Sequence, residues 1–246
     1  MSGLIRTHTR FQLLETSRTP IAIIGSAIWP AASMLAFVVP YAGDDPHFAN
    51  ATTASMLTFA VMSTNLFQYG VGVADDRVQP WDPYVRTLAA GALPRFAGRL
   101  LAGLALMAVA LLPVVLISAF LTAASLSPAR FLLAALAITF IAVPFILMGL
   151  AIGYSMPPKA AVVVAQVLFL PLAFGGGLMS APGWAPGFVE TVGPYLPTGG
   201  AVRLMWAAVG EAPIRPVSVV SLITWTAALA GVAWWAYRRD EGRRFS

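Results

Sequence analysis

The sequence has 246 residues, of which 59% are hydrophobic and only 10% are charged, whereas charged residues make up about 25% of an average soluble domain. A mean hydropathy of +0.79 leaves too few polar side chains to cover a water-facing surface. This composition excludes a soluble globular domain, a disordered chain, collagen and a coiled coil. With no Cys and only two His, the chain also lacks the residues for a thiolate or multi-histidine metal site.

Six apolar blocks follow one another along the chain, and each is long enough for a membrane-spanning helix, which takes about 20 residues. A signal peptide does not explain the first block, because it is longer than the roughly 7–15 apolar residues of a signal and five more blocks follow. The pattern predicts an all-α polytopic membrane protein, a single domain over 1–246 with six transmembrane helices. The blocks are 20–42, 52–73, 96–124, 131–155, 160–180 and 217–237.

Basic residues are concentrated in alternate connections between these blocks. Of the 15 Lys and Arg residues, 12 lie before the first block, after the second, after the fourth or after the sixth. By the positive-inside rule, this bias places both the N and C termini in the cytoplasm. The pI of about 10.1 is therefore an orientation signal, and no nucleic-acid partner is expected.

The N-terminal segment, residues 1–19, precedes the first block. Leu4, Phe11 and Leu14 fall on one helical face, and Arg6 and Arg10 lie largely elsewhere. Such a pattern is typical of an amphipathic helix on the inner membrane surface. With only three strong apolar positions, a loosely ordered basic arm is an equal alternative.

The interiors of the blocks contain no acidic, basic or histidine side chain away from their ends. Coupled ion transporters usually carry such groups at mid-membrane depth, so the chain offers no proton relay. The polar candidates are Asn65, Gln68 and Gln166, of which the first two share a helical face. They either line a pathway or hydrogen-bond a neighbouring helix. Gly149 and Gly153 form a G-x-x-x-G pattern that permits close helix packing.

An energy source must lie on another chain. The sequence contains no G-x-x-x-x-G-K-[ST] loop and only one lysine, Lys159, so it has no ATP-binding motif of its own. The alternative function is that of a polytopic membrane enzyme acting on lipid head groups, with Asp75, Asp76 and Asp82 as ligands of a magnesium ion. A solvated loop that faces a partner is the simpler explanation of these acids.

Two segments carry a family resemblance. The connection 74–95 contains Ala74-Asp75-Asp76-Arg77, Val85-Arg86-Thr87-Leu88 and Leu93-Pro94-Arg95-Phe96, followed by Gly98-Arg99-Leu100-Leu101. It resembles the cytoplasmic coupling segment of ABC-2 type transporter permeases, although Gln79-Pro80-Trp81-Asp82-Pro83 departs from the usual pattern. The second segment contains Leu170-Pro171-Leu172-Ala173-Phe174-Gly175-Gly176-Gly177, Ala181-Pro182-Gly183-Trp184 and the run 193–201. It is similar to the outer region of the same family.

Glycine and proline support the second resemblance on physical grounds. These residues do not sustain a helix exposed to lipid, so the segment must lie at the interface or inside protein. We therefore expect an outer re-entrant region over 175–216, between the fifth and sixth helices.

The resemblance implies the permease half of an ABC exporter in a bacterial inner membrane. It implies two ATP-binding subunits, which carry ATP and Mg, and a second permease copy, identical or related. This chain itself would hold no cofactor, no metal and no catalytic residue. The residues expected to couple to the ATPase are Asp75, Asp76, Arg77, Trp81, Asp82 and Arg86, and those expected to line the substrate pathway are Asn65, Gln68, Gln166 and Phe169.

The cargo follows only in outline. An uncharged interior that contains aromatic side chains favours an amphipathic or apolar cargo, such as a drug, an antibiotic or a lipid-like molecule, over a small ion. The bias of 14 Arg to one Lys is typical of a GC-rich bacterial genome. A structural membrane subunit with no transport role is a third reading.

Overall fold

The computed structural model describes residues 2–18, 20–42, 44–80 and 92–243, and these residues form helices joined by turns. The first half contains α1 (Ser2–Ser17), α2 (Pro20–Phe37), α3 (Val39–Ala42), α4 (Pro46–Arg77) and α5 (Ala92–Leu121). The second half contains α6 (Pro128–Ser155), α7 (Pro158–Gly175), α8 (Gly187–Val192), the 3-10 turn Gly193–Tyr195, α9 (Pro197–Val209) and α10 (Pro216–Arg243).

The central element of the bundle is α4, which contacts α2, α5, α6, α7 and α9. It begins at an Asp45 cap, whose carboxylate accepts a hydrogen bond from the His47 backbone N–H at 2.9 Å, and Pro46 follows at the first helical position. Both features favour a helix start. Every side chain from Ala54 to Leu66 is buried, so neighbouring helices enclose α4 around its whole circumference at this level.

Four helices are both long and apolar enough to cross a membrane within the described ranges. These candidate spans are Phe96–Leu121, Pro128–Ser155, Pro158–Gly175 and Pro216–Glu241. The other two predicted spans differ from them. Helix α4 is long, but it carries Thr, Ser, Asn and Gln side chains. The first block is divided between α2 and α3, and its apolar helical part, Ala27–Ala42, is shorter than a candidate span. The structure thus supports a multi-span helical protein, in which four of the six predicted spans are candidate membrane spans.

Helix ends follow the local sequence. The fifth block, predicted to continue to residue 180, ends as a helix at Gly175, because Gly175 is the first of three consecutive glycines and Gly177 has a φ of +84°, which favours glycine. At the start of α6, the Ser127 side chain caps the helix and Pro128 comes next. The N-terminal segment is helical rather than an irregular arm, and α1 packs against α5.

The region after α7 forms α8, the 3-10 turn and α9. Helix α9 is largely buried and contacts α4, α6 and α10. The Trp206 indole N–H donates to the Ala51 carbonyl at 3.1 Å and the Ser55 hydroxyl at 2.9 Å. Thr198 donates from its hydroxyl to the Leu172 carbonyl at 2.7 Å. This region therefore packs into the bundle rather than projecting from it.

Two glycines set the distance between α4 and α6. A Cβ added at Gly149 would lie 2.8 Å from the Asn65 carbonyl oxygen, and one added at Gly153 would lie 2.5 Å from the Tyr69 carbonyl oxygen. Backbone atoms cannot move aside as a flexible side chain can. The G-x-x-x-G pattern is thus used within this chain for the contact between α4 and α6.

We predict that Gly149→Ala and Gly153→Ala destabilise the fold, each by about 1–3 kcal/mol, the usual cost of overpacking. Thermal unfolding of the detergent-purified protein measures the effect. The matched control is Gly231→Ala in α10, where an added Cβ meets nothing within 4 Å and alanine is the better helix former by up to about 1 kcal/mol. Equal stability of Gly153→Ala and Gly231→Ala would contradict the close approach of α4 and α6.

Candidate functional site at the two ends of the bundle

At one end of the bundle, Arg77 joins the last turn of α4 to two other helices. Its Nε donates to the Asp240 carboxylate of α10 at 3.0 Å, and Nη2 pairs with the same oxygen. Its Nη1 donates to the Gly153 carbonyl at 2.7 Å and the Met156 carbonyl at 3.2 Å. These carbonyls belong to the C-terminal end of α6, where a cation is favoured. The Asp240 side chain is only 4% exposed, so this ion pair is largely shielded from water.

The two acids that precede Arg77, Asp75 and Asp76, differ in their contacts. Asp76 pairs with Arg99 of α5, and Arg99 also donates to the Gly72 carbonyl at 3.3 Å. Asp75 is exposed. Asp76 and Arg77 therefore hold helices of this chain together, while Asp75 is available to a partner. The remaining predicted coupling residues, Trp81, Asp82 and Arg86, lie outside the described residues.

The contact between Asp76 and Arg99 also involves one of the predicted magnesium ligands. Asp76 is engaged by an arginine, and Asp82 is not among the described residues. Within 2–18, 20–42, 44–80 and 92–243, no group of three or more His, Cys, Asp or Glu residues is arranged to hold a metal ion. The described part of the chain thus offers no metal centre for the enzyme alternative.

The predicted pathway residues do not form one cluster. Asn65 is fully buried, and its side-chain N–H group donates to the Val61 carbonyl at 2.8 Å and lies 3.1 Å from the Met107 sulfur of α5. Its amide oxygen is buried without a hydrogen-bond partner among the described residues. Gln68 is half-buried and Gln166 is exposed. Asn65 thus faces α5, away from the contact between α4 and α7.

Phe169 belongs to an aromatic cluster between α7 and α4. Its ring centroid lies 5.0 Å from that of Phe59 and 5.9 Å from that of Phe67. These distances are typical of attractive aromatic pairs. The cluster joins α7 to the central helix, and Gln166 lies one turn earlier on the exposed side of α7.

At the opposite end of the bundle, sequence reasoning missed a polar network. The Glu211 carboxylate accepts a hydrogen bond from the Asn50 amide at 3.1 Å and lies 2.9 Å from Nδ1 of His47. Asn50 also pairs with the backbone of Ser125, donating to its carbonyl at 3.0 Å and accepting from its N–H at 2.9 Å. Nearby, Arg130 donates to the Ala207 carbonyl at 3.2 Å. The network links α4, α6, the α5–α6 connection and the end of α9.

The long sequence separations explain why this network was missed. Asn50 is 161 residues from Glu211 and 75 from Ser125, so no local spacing marks the contact. The available signal was weaker: polar side chains stand just outside apolar blocks, at Asn50 and at Glu211.

A buried cation lies in the same half of the molecule. Arg203 of α9 is 6% exposed, and its Nη1 donates to the Gly199 carbonyl at 3.3 Å. Its Nη2 lies 4.0 Å from the Glu190 carboxylate, and its guanidinium lies 5.9 Å from the Trp206 ring. Arg203 thus holds α8 and α9 together, as expected for a polar residue in a segment packed inside protein.

The family model described as ABC-2 type transporter matches residues 3–197. The chain belongs to the ABC-2 type transporter family. No curated protein matches it significantly. The family match and the apolar helices identify a multi-pass membrane protein, the transport permease subunit of an ABC system, a family that normally works with an ABC ATP-binding subunit. The resemblance of residues 74–101 and 170–201 to this family is confirmed at the level of the family.

The His47–Glu211 contact predicts a pH dependence of the permease's stability. His47 lies in the first turn of α4, before the apolar block that begins at 52. The hydrogen bond that His47 donates to Glu211, with the negative charges of Glu211 and Asp45, raises the pKa of His47 above its ordinary 6.5. The contact therefore contributes its full stabilisation of the folded permease below pH 6.5, the pKa of His47 in the unfolded chain. This stabilisation is lost as the pH rises through the higher pKa of His47 in the folded state.

We expect the melting temperature of the detergent-purified permease to fall as the pH is raised from about 6 to 8.5. The fall should be slightly larger for the wild type than for the Glu211→Gln variant. Glutamine retains an oxygen for Asn50, so the variant removes mainly the charge. His47→Gln should flatten the pH profile in the same way. Glu190→Gln is the control and should keep the wild-type slope. Parallel profiles for all four proteins would show that the contact contributes nothing.

Proposed function

We propose that this chain is the permease of an ATP-driven exporter that moves an amphipathic or apolar cargo across a bacterial inner membrane. The family match over residues 3–197 carries the proposal. An uncharged membrane interior supports it, because the chain has no ionisable relay with which to couple transport to an ion gradient. The membership also favours transport over the lipid-modifying enzyme.

The proposed topology has six crossings with both termini in the cytoplasm. The two crossings beyond the four candidate spans are α2 with α3, and α4. Helix α4 has 32 residues, a length of about 48 Å, which exceeds the roughly 30 Å of the hydrocarbon core. Its polar side chains argue for burial between helices, not against crossing, because the neighbouring helices shield them from lipid.

Single-cysteine labelling tests this topology on a clean background, because the chain contains no Cys. With a membrane-impermeant maleimide on intact spheroplasts, we expect labelling at Asp44→Cys and Ser127→Cys. Ser155→Cys should label only after permeabilisation. If only the four candidate spans crossed, Asp44→Cys would lie on the inner side with Ser155→Cys and would stay unlabelled in intact spheroplasts.

We propose that the connection 74–95 docks on the ATP-binding subunit, of which the complex has two copies carrying ATP and Mg. Support comes from its place directly after α4 and from the exposed carboxylate of Asp75. The Arg77 and Asp76 ion pairs would fix the base of the segment to α10 and α5. A force applied to the segment would then reach three helices through these pairs.

Affinity purification of the tagged permease from its native host in mild detergent should recover an ATP-binding subunit with vanadate-sensitive ATP hydrolysis. We expect Asp75→Ala and Arg86→Ala to lower that recovery while membrane insertion stays intact, and Asp75→Ala, at an exposed position, to keep a melting temperature near wild type. Asp76→Ala and Arg77→Ala should lower both recovery and melting temperature, because each breaks an internal pair.

Asp44→Ala, at an exposed position between α3 and α4 at the opposite end of the bundle, is the control and should leave recovery unchanged. Full recovery with all four variants of the coupling residues would contradict the docking site. A pure permease without any ATP-binding subunit would overturn the proposed function itself and return weight to the Asp75, Asp76 and Asp82 enzyme alternative.

The proposed pathway lies where two permease copies meet at α7. Only 17% of this candidate span is buried within the chain, the lowest share among the four. Gln166 is exposed there, and a glutamine side chain facing lipid would lack hydrogen-bond partners. A second copy, identical or related, would cover this face, with the Phe59, Phe67 and Phe169 cluster behind it as an apolar wall. Asn65 and Gln68 remain proposed pathway residues on α4.

A further inference from the structure

A groove of about 740 Å³ lies where α1 meets α5. Its α1 side includes Arg6, Arg10, Leu13 and Leu14, and Leu101 of α5 forms the other side. Each of the three leucines is 39–47% exposed. The groove thus combines an apolar floor with two cationic side chains, a combination that the contacts within the chain do not explain.

The position of Leu101 places this groove at membrane level. Leu101 lies in the candidate span Phe96–Leu121, near its first residue. A few residues earlier, Gly98 packs so closely on α1 that an added Cβ would lie 2.6 Å from the His8 Cβ. Helix α1 therefore packs closely on the end of a candidate span, and the groove opens beside it. With this span in the membrane as proposed, the groove would lie near the lipid head groups.

The two arginines stand one helical turn apart, on the same side of α1. Both are exposed, and neither forms an ion pair with an acidic side chain among the described residues. Two other basic residues proposed to be cytoplasmic differ in this respect, because Arg238 stacks on Trp234 at 4.8 Å and Arg239 on Trp235 at 5.1 Å. Arg6 and Arg10 are thus open to an external anion.

We propose that this groove binds an anionic phospholipid of the inner leaflet. The phosphate would lie between Arg6 and Arg10, and an acyl chain would run along Leu13, Leu14 and Leu101. A free phosphate would leave the apolar floor uncovered, and a zwitterionic lipid would bring a second positive charge close to the two arginines. Arginine forms strong charge-assisted hydrogen bonds with phosphate oxygens, and basic residues near a membrane surface attract anionic lipids.

The proposal rests on the proposed cytoplasmic position of α1 and not on the ATP-binding subunit or the cargo. Its consequence is that the lipid would fasten α1 to α5 close to the Asp76–Arg99 pair. Lipid composition would then influence the stability of the end of the bundle that carries the coupling segment.

The test is native mass spectrometry of the purified full chain, with phosphatidylglycerol or phosphatidylcholine of identical acyl chains added. We expect phosphatidylglycerol to be retained in preference to phosphatidylcholine, and retention to fall at least about tenfold in Arg6→Gln/Arg10→Gln. The matched control Arg238→Gln/Arg239→Gln removes the same charge elsewhere and should retain the lipid. Arg6→Lys/Arg10→Lys should keep most of the binding.

Leu101→Gln tests the acyl-chain contact separately and should weaken phosphatidylglycerol retention without affecting the arginines. The melting temperature of each variant without lipid shows whether it is folded. Equal loss in the two double glutamine variants would overturn the site in favour of diffuse charge attraction. Equal retention of both lipids, or an equal thermal shift with inorganic phosphate alone, would also overturn it. All these measurements omit the ATP-binding subunit, so their failure leaves the proposed transport function untouched.

Discussion

A helix with threonine, serine and asparagine side chains at its centre can lie inside a bilayer only if other helices surround it, because lipid offers no hydrogen-bond partners. Helix α4 is such an element, and its burial from Ala54 to Leu66 organises the rest of the bundle. Helices α2, α5, α6, α7 and α9 all pack on it. Gly149 and Gly153 allow α6 to approach its backbone, and Trp206 of α9 bonds directly to its first half. The more apolar helices lie around α4, so their outer side chains can face lipid while the polar side chains of α4 stay inside the bundle.

The end of α4 has to satisfy a second constraint, which is charge. Arg77 is largely buried and compensates both the Asp240 carboxylate and the carbonyls at the end of α6. Removing one partner from such a pair leaves a poorly solvated charge, which costs much more than the pair contributes. The connection to the predicted coupling residues starts immediately after Arg77. The same residue therefore closes the bundle and forms the base of the proposed docking segment.

Sequence patterns predicted the helical class and the six apolar blocks, and they suggested the family that the match over residues 3–197 confirms. They do not indicate which contacts a residue makes within the fold. The sequence predicts Asp76 and Arg77 as charges that face a partner. In the structure both pair within the chain, and the sequence does not indicate this because their partners Arg99 and Asp240 are distant in sequence. The sequence predicts Asn65 and Phe169 in one pathway; in the structure Asn65 of α4 faces α5, whereas Phe169 lies on α7 and packs against the other side of α4. The sequence does not predict the role of Glu211, because its contacts with Asn50 and His47 span more than 160 residues.

The two polar ends of the bundle differ in how strongly they hold it together. The Arg77–Asp240 pair is shielded from water, whereas the His47 side chain that faces Glu211 is 84% exposed. An exposed pair contributes little and is screened by salt, and the Asn50–Ser125 contacts at the same end are made to a connection rather than to a helix. The ion pair at the Glu211 end is therefore weaker than the one at the Arg77 end. If the chain is the exporter proposed above, this weaker pair lies at the end away from the proposed coupling segment, which is the side on which such a transporter must release its cargo.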